Sequence, residues 1–306
     1  MTKYILNRII SSVATIWVVI TLTFFLMHAI PGGPFDGEKK LPPQIKANLE
    51  AKFGMNKPLM QQYTTYLNSL LKGDLGPSMT SEGRTVNEVI AYSFPTSAKL
   101  GAAAIIFALV IGVNMGIIAA LKQGKWQDNL AMVISTLGVT VPSFVMATFF
   151  IYLFAVKLGW FPAIGFDGPE YYVLPAVALG GYSMAFIARL ARSSLLEVVR
   201  QDYIKVARAK GLSSSKVIYK HALKNSLIPI VTYMGPLIAG VLTGSFVIES
   251  MFGIPGLGRE FVLSISNRDY TTILGVTIFY SSFLVFCNLV VDILYVVIDP
   301  RIKLQG

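Results

Sequence analysis

Six stretches of this chain stay apolar for about 20 residues or more, the length a helix needs to cross the hydrocarbon core of a bilayer. They are Ile9–Ile30, Ala98–Leu121, Leu130–Val156, Tyr171–Leu190, Leu227–Ile248 and Thr271–Ile298. Pro142 is expected to interrupt the third, Pro175 the fourth, and Pro229 and Pro236 the fifth. The chain has 306 residues, 54% hydrophobic and only 14% charged. A soluble domain carries about 25% charge. The predicted fold class is therefore an all-α polytopic membrane protein with six transmembrane helices.

Where the charges fall orients the chain. With six spans, the N-terminus, the 122–128 loop, the 189–226 loop and the C-terminus share one side. That side holds 15 of the 26 Lys and Arg but only 4 of the 16 acids. Basic residues beside spans face the cytoplasm, so both termini are expected there. This accounts for the net charge of +10 without a nucleic-acid partner. The first apolar run is longer than a signal-peptide core and ends in "HAIPGGP", with no small-residue cleavage site, so it reads as an uncleaved span.

Several chemistries find no support. Cys287 is the one cysteine, and His28 and His221 are far apart in sequence, so neither a disulfide, a metal cluster nor a Cys/His catalytic pair is indicated. Gly124-Lys125 is followed by Trp126, not by a phosphate-loop Ser or Thr. Asp292 lies deep in the sixth run, where a structural hydrogen bond or a proton-carrying role are both open. A proton-coupled carrier would need a relay of such groups, and Asp292 is nearly alone.

The 31–95 stretch is polar, charge-balanced and rich in Pro and Gly. Ile45, Leu49 and Phe53 recur at helical spacing, as do Tyr63, Leu67, Leu70 and Leu71, with Gly54 and Gly73 as stops. A small helical cap outside the membrane is predicted. Beyond the fifth run, Gly253, Pro255, Gly256 and Gly258 forbid a continuing helix. Arg259–Asn267 then reads as a short amphipathic turn, either a re-entrant element at a pathway mouth or an ordinary surface helix. Gly112/Gly116 and Gly240/Gly244 have the G-x-x-x-G spacing of closely packed membrane helices, inside the chain or against a second subunit.

The stretch from Lys205 to Pro229, "KVARAKGLSSSKVIYKHALKNSLIP", is basic and contains no acid. Ahead of it, Arg189, Arg192 and Arg200 are expected to snorkel or face water. Ala207, Ala209 and Gly211 then follow closely. Gly211 suits the left-handed turn that ends a helix, and Ser213 and Ser214 can cap the next one. Helix, sharp turn and helix would project into the cytoplasm between the fourth and fifth spans. A solvated basic loop, an anionic-lipid patch and a docking knob for another protein are three readings. The first two need charge only and leave the Ala-x-Ala-x-Gly spacing without a role.

"ARAKGLSSSKVIYKHALKNSLIP" resembles the cytoplasmic loop signature of permease subunits of binding-protein-dependent ABC importers, whose general pattern is E-A-A-x3-G-x9-I-x-L-P. Lys205 and Val206 replace the acid and the alanine next to it, and His221, Leu223 and Lys224 stand at the I, L and P places. These departures match the peptide/nickel branch. That branch resemblance extends to "LPPQIKANLEAKFG", "SFPTSAKLG", "VPSF", "GSFVIESMFGIPGLG" and "NRDY", essentially the whole chain.

The resemblance implies a type I importer permease fold passing oligopeptides inward, with dipeptides, murein peptides or nickel as alternative cargo. It implies a first helix over 1–30, an extracytoplasmic cap over 31–95, a core over 96–299 with a coupling loop at 191–226, and a cytoplasmic tail at 300–306. The expected partners are a second homologous permease subunit, two cytoplasmic ATPase subunits that hold ATP and Mg, an extracytoplasmic peptide-binding protein and membrane lipids. No cofactor is expected on this chain. The ATPase-coupling set is Tyr203, Ala207, Arg208, Ala209, Lys210, Gly211, Leu212 and His221. The outer-gate set is Glu249, Gly253, Pro255, Gly256 and Gly258. No substrate-contacting residue is implied.

Overall fold

The computed structural model describes residues 2–35, 42–242 and 244–298, with side chains between 6 and 290. The tail at 300–306 and the side chain of Asp292 lie outside that description. Among the described residues every regular element is a helix, and one antiparallel bridge joins Pro77 and Thr85. Four helices are long and apolar enough to span a membrane, or six if each of two bent pairs counts as one span. The chain divides into two compact units, Met1–Ser97 with Pro255–Gly306, and Ala98–Ile254.

In the first unit, α1 (Thr2–Ala29) packs along α13 (Tyr270–Ile298). The cap holds α2 (Pro43–Lys52) and α3 (Leu59–Leu71), each followed by a glycine of positive φ, Gly54 and Gly73. α3 is fastened by aromatic packing: Tyr63 is buried with Phe24 and Leu274, and its hydroxyl lies 2.6 Å from that of Thr21. Leu71 is 86% exposed, so the expected inward face of α3 stops short of it. α2 buries none of its residues, and Ile45 is exposed.

The second span begins earlier than hydropathy suggests. α4 runs from Val86 to Leu121, not from Ala98, with Pro95 inside it. The cause is a capping box. The Glu88 N–H donates to Thr85 Oγ1 at 3.2 Å and the Thr85 N–H donates to Glu88 Oε2 at 2.9 Å. At about 1.5 Å per residue, its 36 residues extend well past a hydrocarbon core of about 30 Å.

In the second unit, α5 (Trp126–Thr140) and α6 (Ser143–Lys157) form the third apolar run, bent by 110° at Val141-Pro142. Proline excludes Val141 from helical geometry, and Val141 is extended at φ −84°, ψ 124°. α7 (Val173–Val198) is not interrupted by Pro175, because the proline sits in the first turn, where no N–H partner is lost. Gly112 and Gly116 let α4 approach α7. An added Cβ would stand 2.7 Å from the Met184 carbonyl at the first, and against the Ala188 carbonyl at the second.

α8 (Asp202–Ala209) and α9 (Ser214–Ser226) follow α7, and α10 (Ile228–Leu242) leaves α9 at 45°. The fifth run therefore ends at Leu242, and Ile248 belongs to a separate short helix, α11 (Phe246–Phe252). Pro229 lies in the first turn of α10, and Pro236 is carried inside the helix. Gly244 lies beyond the end of α10 at φ +92°, so the Gly240/Gly244 spacing does not fall on one continuous helix. α12 (Leu257–Ser266), in the first unit, realises the expected amphipathic turn.

Candidate functional site

The helix–turn–helix between α7 and α10 forms as its sequence dictates. α8 ends at Ala209 and is closed by Lys210 and Gly211, the latter at φ +75°. The Gly211 N–H donates to the Arg208 carbonyl at 2.9 Å and the Leu212 N–H to the Ala207 carbonyl at 3.4 Å, the paired bonds of a Schellman turn. Two residues on, Ser213 Oγ accepts from the Lys216 N–H at 3.4 Å and starts α9. Inside α9, Val217–Ala222 widens to a π-helix.

This elbow has a core of its own. Ile204, Val217 and Ala222 are fully buried with Leu195 of α7, joined by Ala207 and by Ala120 of α4. Asn225 Nδ2 donates to the Tyr203 hydroxyl at 2.8 Å, joining α9 to α8. The elbow is thus a rigid extension of α7 and α4, not a solvated loop.

The expected contact residues separate into two faces. Ala207 points inward at 7% exposure, so its small side chain serves the elbow's own core and is not available to a partner. Arg208, Ala209, Lys210 and Gly211 are exposed. Tyr203, Val206 and Tyr219 add 42%, 52% and 66% exposed apolar surface. Leu212 and His221 are half-buried. Val206, which replaces an alanine of the family pattern, and Tyr219, at one of its unspecified places, also belong to this outer face. Arg189 and Arg200 face outward as expected, but Arg192 does not snorkel. Its Nε donates to Asp128 Oδ1 at 2.6 Å and its Nη2 to Asp128 Oδ2 at 2.8 Å. Asp128 also accepts from the Gly124 N–H at 3.0 Å, and is itself buried.

Of the outer-gate residues, Glu249 lies fully buried on α11, and Gly253 ends that helix in the left-handed region at φ +67°. The Ile254 N–H donates to the Glu249 carbonyl at 2.9 Å, and the Gly165 N–H donates to the Phe252 carbonyl at 2.9 Å. A Cβ at Gly253 would stand 2.6 Å from Ile164, so glycine is required for space as well as for φ. In the other unit, Pro255 and Gly256 precede α12. Gly258 does not break the helix: it is buried in the first turn, one residue after the Leu257 N–H donates to Ser97 Oγ at 2.8 Å.

Asp269 is a hub of the first unit. Its carboxylate accepts from the Ser78 hydroxyl, the Thr80 hydroxyl at 2.9 Å, and the Met79 and Thr272 N–H groups at 3.1 Å each. Burial pushes this carboxyl up, but the hydrogen bonds outweigh it and hold it below the usual aspartate range. The group caps α13 and ties it to the 78–80 turn.

Residues 112–304 match the family described as the binding-protein-dependent transport system inner membrane component, and residues 1–106 match the family of its N-terminal regions. The chain is 46% identical over 305 residues to the oligopeptide transport system permease protein OppB of Salmonella typhimurium, covering 99% of this chain and 100% of that protein. It is 47% identical over 305 residues to the dipeptide transport system permease protein DppB of Bacillus subtilis, covering 100% of this chain and 99% of that one. Its fold is similar to that of the inward-facing methionine ABC transporter MetNI, with a TM-score of 0.55 at 18% identity, over 72% of this chain and 100% of that one.

Proposed function

The chain belongs to the binding-protein-dependent transport system inner membrane components, and on that premise we propose that it is the pore subunit through which an ATP-driven importer moves oligopeptides across the cytoplasmic membrane. The fold is that of a type I ABC importer permease. The observation that carries the reading is the unbroken match to peptide permeases over almost the full length. A second cargo, dipeptides, is favoured by the equally close similarity to a dipeptide permease.

In this reading the chain pairs with a second permease subunit amid membrane lipids. Two cytoplasmic ATPase subunits bind ATP and Mg, and a peptide-binding protein delivers cargo from outside. The chain itself is not an enzyme and holds no cofactor. Both termini are cytoplasmic, which the excess of Lys and Arg beside the elbow supports. The outer face of the elbow, Tyr203, Arg208, Ala209, Lys210 and Gly211 with the flanking Leu212 and His221, docks on an ATPase. Because that face is rigidly joined to α7 and leads directly into α10, closure of the ATPases is transmitted to both spans. Glu249, Gly253, Pro255, Gly256 and Gly258 form the outer gate.

The test is uptake by vesicles holding the chain with its second permease, ATPases and binding protein. The expected result is peptide uptake that needs ATP inside and survives an uncoupler. Uptake that fails with the uncoupler while ATP is maintained would assign the chain to proton-coupled carriers. A comparison of peptides from two to five residues decides between the two cargoes.

A further inference from the structure

The first unit contains a cavity of about 350 Å³, walled by Phe24, Phe53, Tyr66 and Tyr270, with Lys52 and Lys57 also lining it. Its frame is held in place by hydrogen bonds. Gln62 Nε2 donates to the carbonyls of Met55 and Lys57 at 3.1 and 2.8 Å, and Gln62 Oε1 lies 3.2 Å from His28 Nε2. His28 is in turn bonded through Nδ1 to the Phe24 carbonyl at 2.8 Å. These bonds pin the α2–α3 turn, and with it Lys57, to the outer end of α1.

Tyr66 lines this cavity, and its hydroxyl is buried with no hydrogen-bond partner among the described residues. Burial pushes its pKa up, so it is a neutral proton donor at physiological pH. A buried hydroxyl left unpaired is costly, and a ligand oxygen would remove that cost. The lining contains two lysines and no acid. That balance attracts a carboxylate and repels an ammonium group. The volume is at the lower end of ligand sites, which run from about 300 to 1,000 Å³. It suits one apolar or aromatic side chain with its terminal carboxylate, not a whole oligopeptide.

We propose that this cavity receives the C-terminal residue of an incoming peptide, the carboxylate set against Lys52, Lys57 and the Tyr66 hydroxyl, the side chain among Phe24, Phe53 and Tyr270. This rests on the reading of the chain as a peptide permease. Gripping only the end of the cargo lets one site serve peptides of different length and sequence.

The experiment uses the assembled transporter in lipid nanodiscs without ATP, and a tripeptide ending in photoreactive benzoylphenylalanine. Adducts are mapped by mass spectrometry, and ATP-driven import is measured on the same preparation. Adducts are expected on the cavity residues. Amidating the C-terminus should lower them at least about tenfold, by removing the charged partner of two lysines, while N-acetylation should leave them unchanged. Tyr66→Phe should raise the half-labelling concentration about three- to tenfold, the loss of one hydrogen bond. The acid and amide probes on the unaltered chain need no variant to fold. Equal labelling by acid and amide overturns the site. So does displacement by oleate where unlabelled peptide acid has no effect, which would make it a fatty-acid site. Import without labelling overturns the cavity and leaves the permease reading intact. Labelling without import keeps the site and overturns the permease reading, and absence of both overturns both.

Discussion

Arg192 grips Asp128 through two hydrogen bonds, at 2.6 and 2.8 Å, and ties the first turn of α5 to the stretch of α7 that carries the elbow. The pair is 64 residues apart in sequence, and Asp128 keeps only 4% side-chain exposure. Arg192 is 25% exposed, so the pair is part-buried, and removing one member leaves the other without its charge partner in a site water reaches only in part. Asp128→Ala and Arg192→Ala should each lower the thermal stability of the purified complex. The double variant Asp128→Ala/Arg192→Ala should lose less than the two singles added together. Strict additivity in melting temperature would show that the contact does not brace α5 to α7.

Ala207 and Ala209 separate packing from docking, because they lie two residues apart on α8 and face opposite ways. Ala207→Glu places a charge beside Leu195 and Val217, and should unfold the elbow and lower the amount of assembled protein. Ala209→Glu is exposed and should leave folding unchanged while ATP hydrolysis no longer drives uptake. Protease sensitivity between Asp202 and Ser226 reports the first effect, and the ratio of uptake to hydrolysis reports the second. Normal coupling in Ala209→Glu would remove this face from the ATPase contact.

The spans and the elbow are legible in the sequence because their signals are local: apolar runs, a glycine at the end of α8, a serine cap two residues on. What is not legible is pairing across distance. Which alanine of α8 faces inward depends on Leu195 and Val217, and no periodicity within eight residues reveals it. Arg192 looks like any snorkelling arginine until α5 brings Asp128 beside it. Asp269 meets Ser78 across 191 residues, so "NRDY" alone does not disclose a hub. The early start of α4 is a different case. The signature Thr85-Val86-Asn87-Glu88 is local, but it lies in a polar stretch where hydropathy has no contrast.

Asp269 makes the fastening of the 78–80 turn pH-dependent. Its folded pKa lies below the ordinary aspartate value of about 3.9. The stabilisation it contributes is therefore complete above that value and is lost as pH falls through the lower, folded pKa. Limited proteolysis of the 77–85 segment should rise on acidification below about pH 4 in the natural chain. Asp269→Asn should be cleaved readily at neutral pH, because one carbonyl oxygen cannot serve all those donors and each orphaned donor costs about 1–3 kcal/mol. Its cleavage should show no added step in the acid range. Equal resistance of the two proteins at pH 7 would remove Asp269 from its role as fastener.

Gly211 tests the proposed docking face most sharply, since an added Cβ there meets nothing within 4 Å among the described residues. Any steric effect beyond backbone strain must therefore come from a partner. At φ +75° most L-residues pay about 1–2 kcal/mol, while asparagine tolerates the left-handed region. Gly211→Asn should fold and assemble like the natural chain. If an ATPase packs closely on the turn, the same variant should uncouple hydrolysis from uptake by tenfold or more. Gly211→Pro cannot adopt positive φ and should disorder the turn between α8 and α9 as well. Full uptake by Gly211→Asn, with intact assembly, would show that the turn is left open and that coupling runs through Tyr203, Val206 and Tyr219 instead.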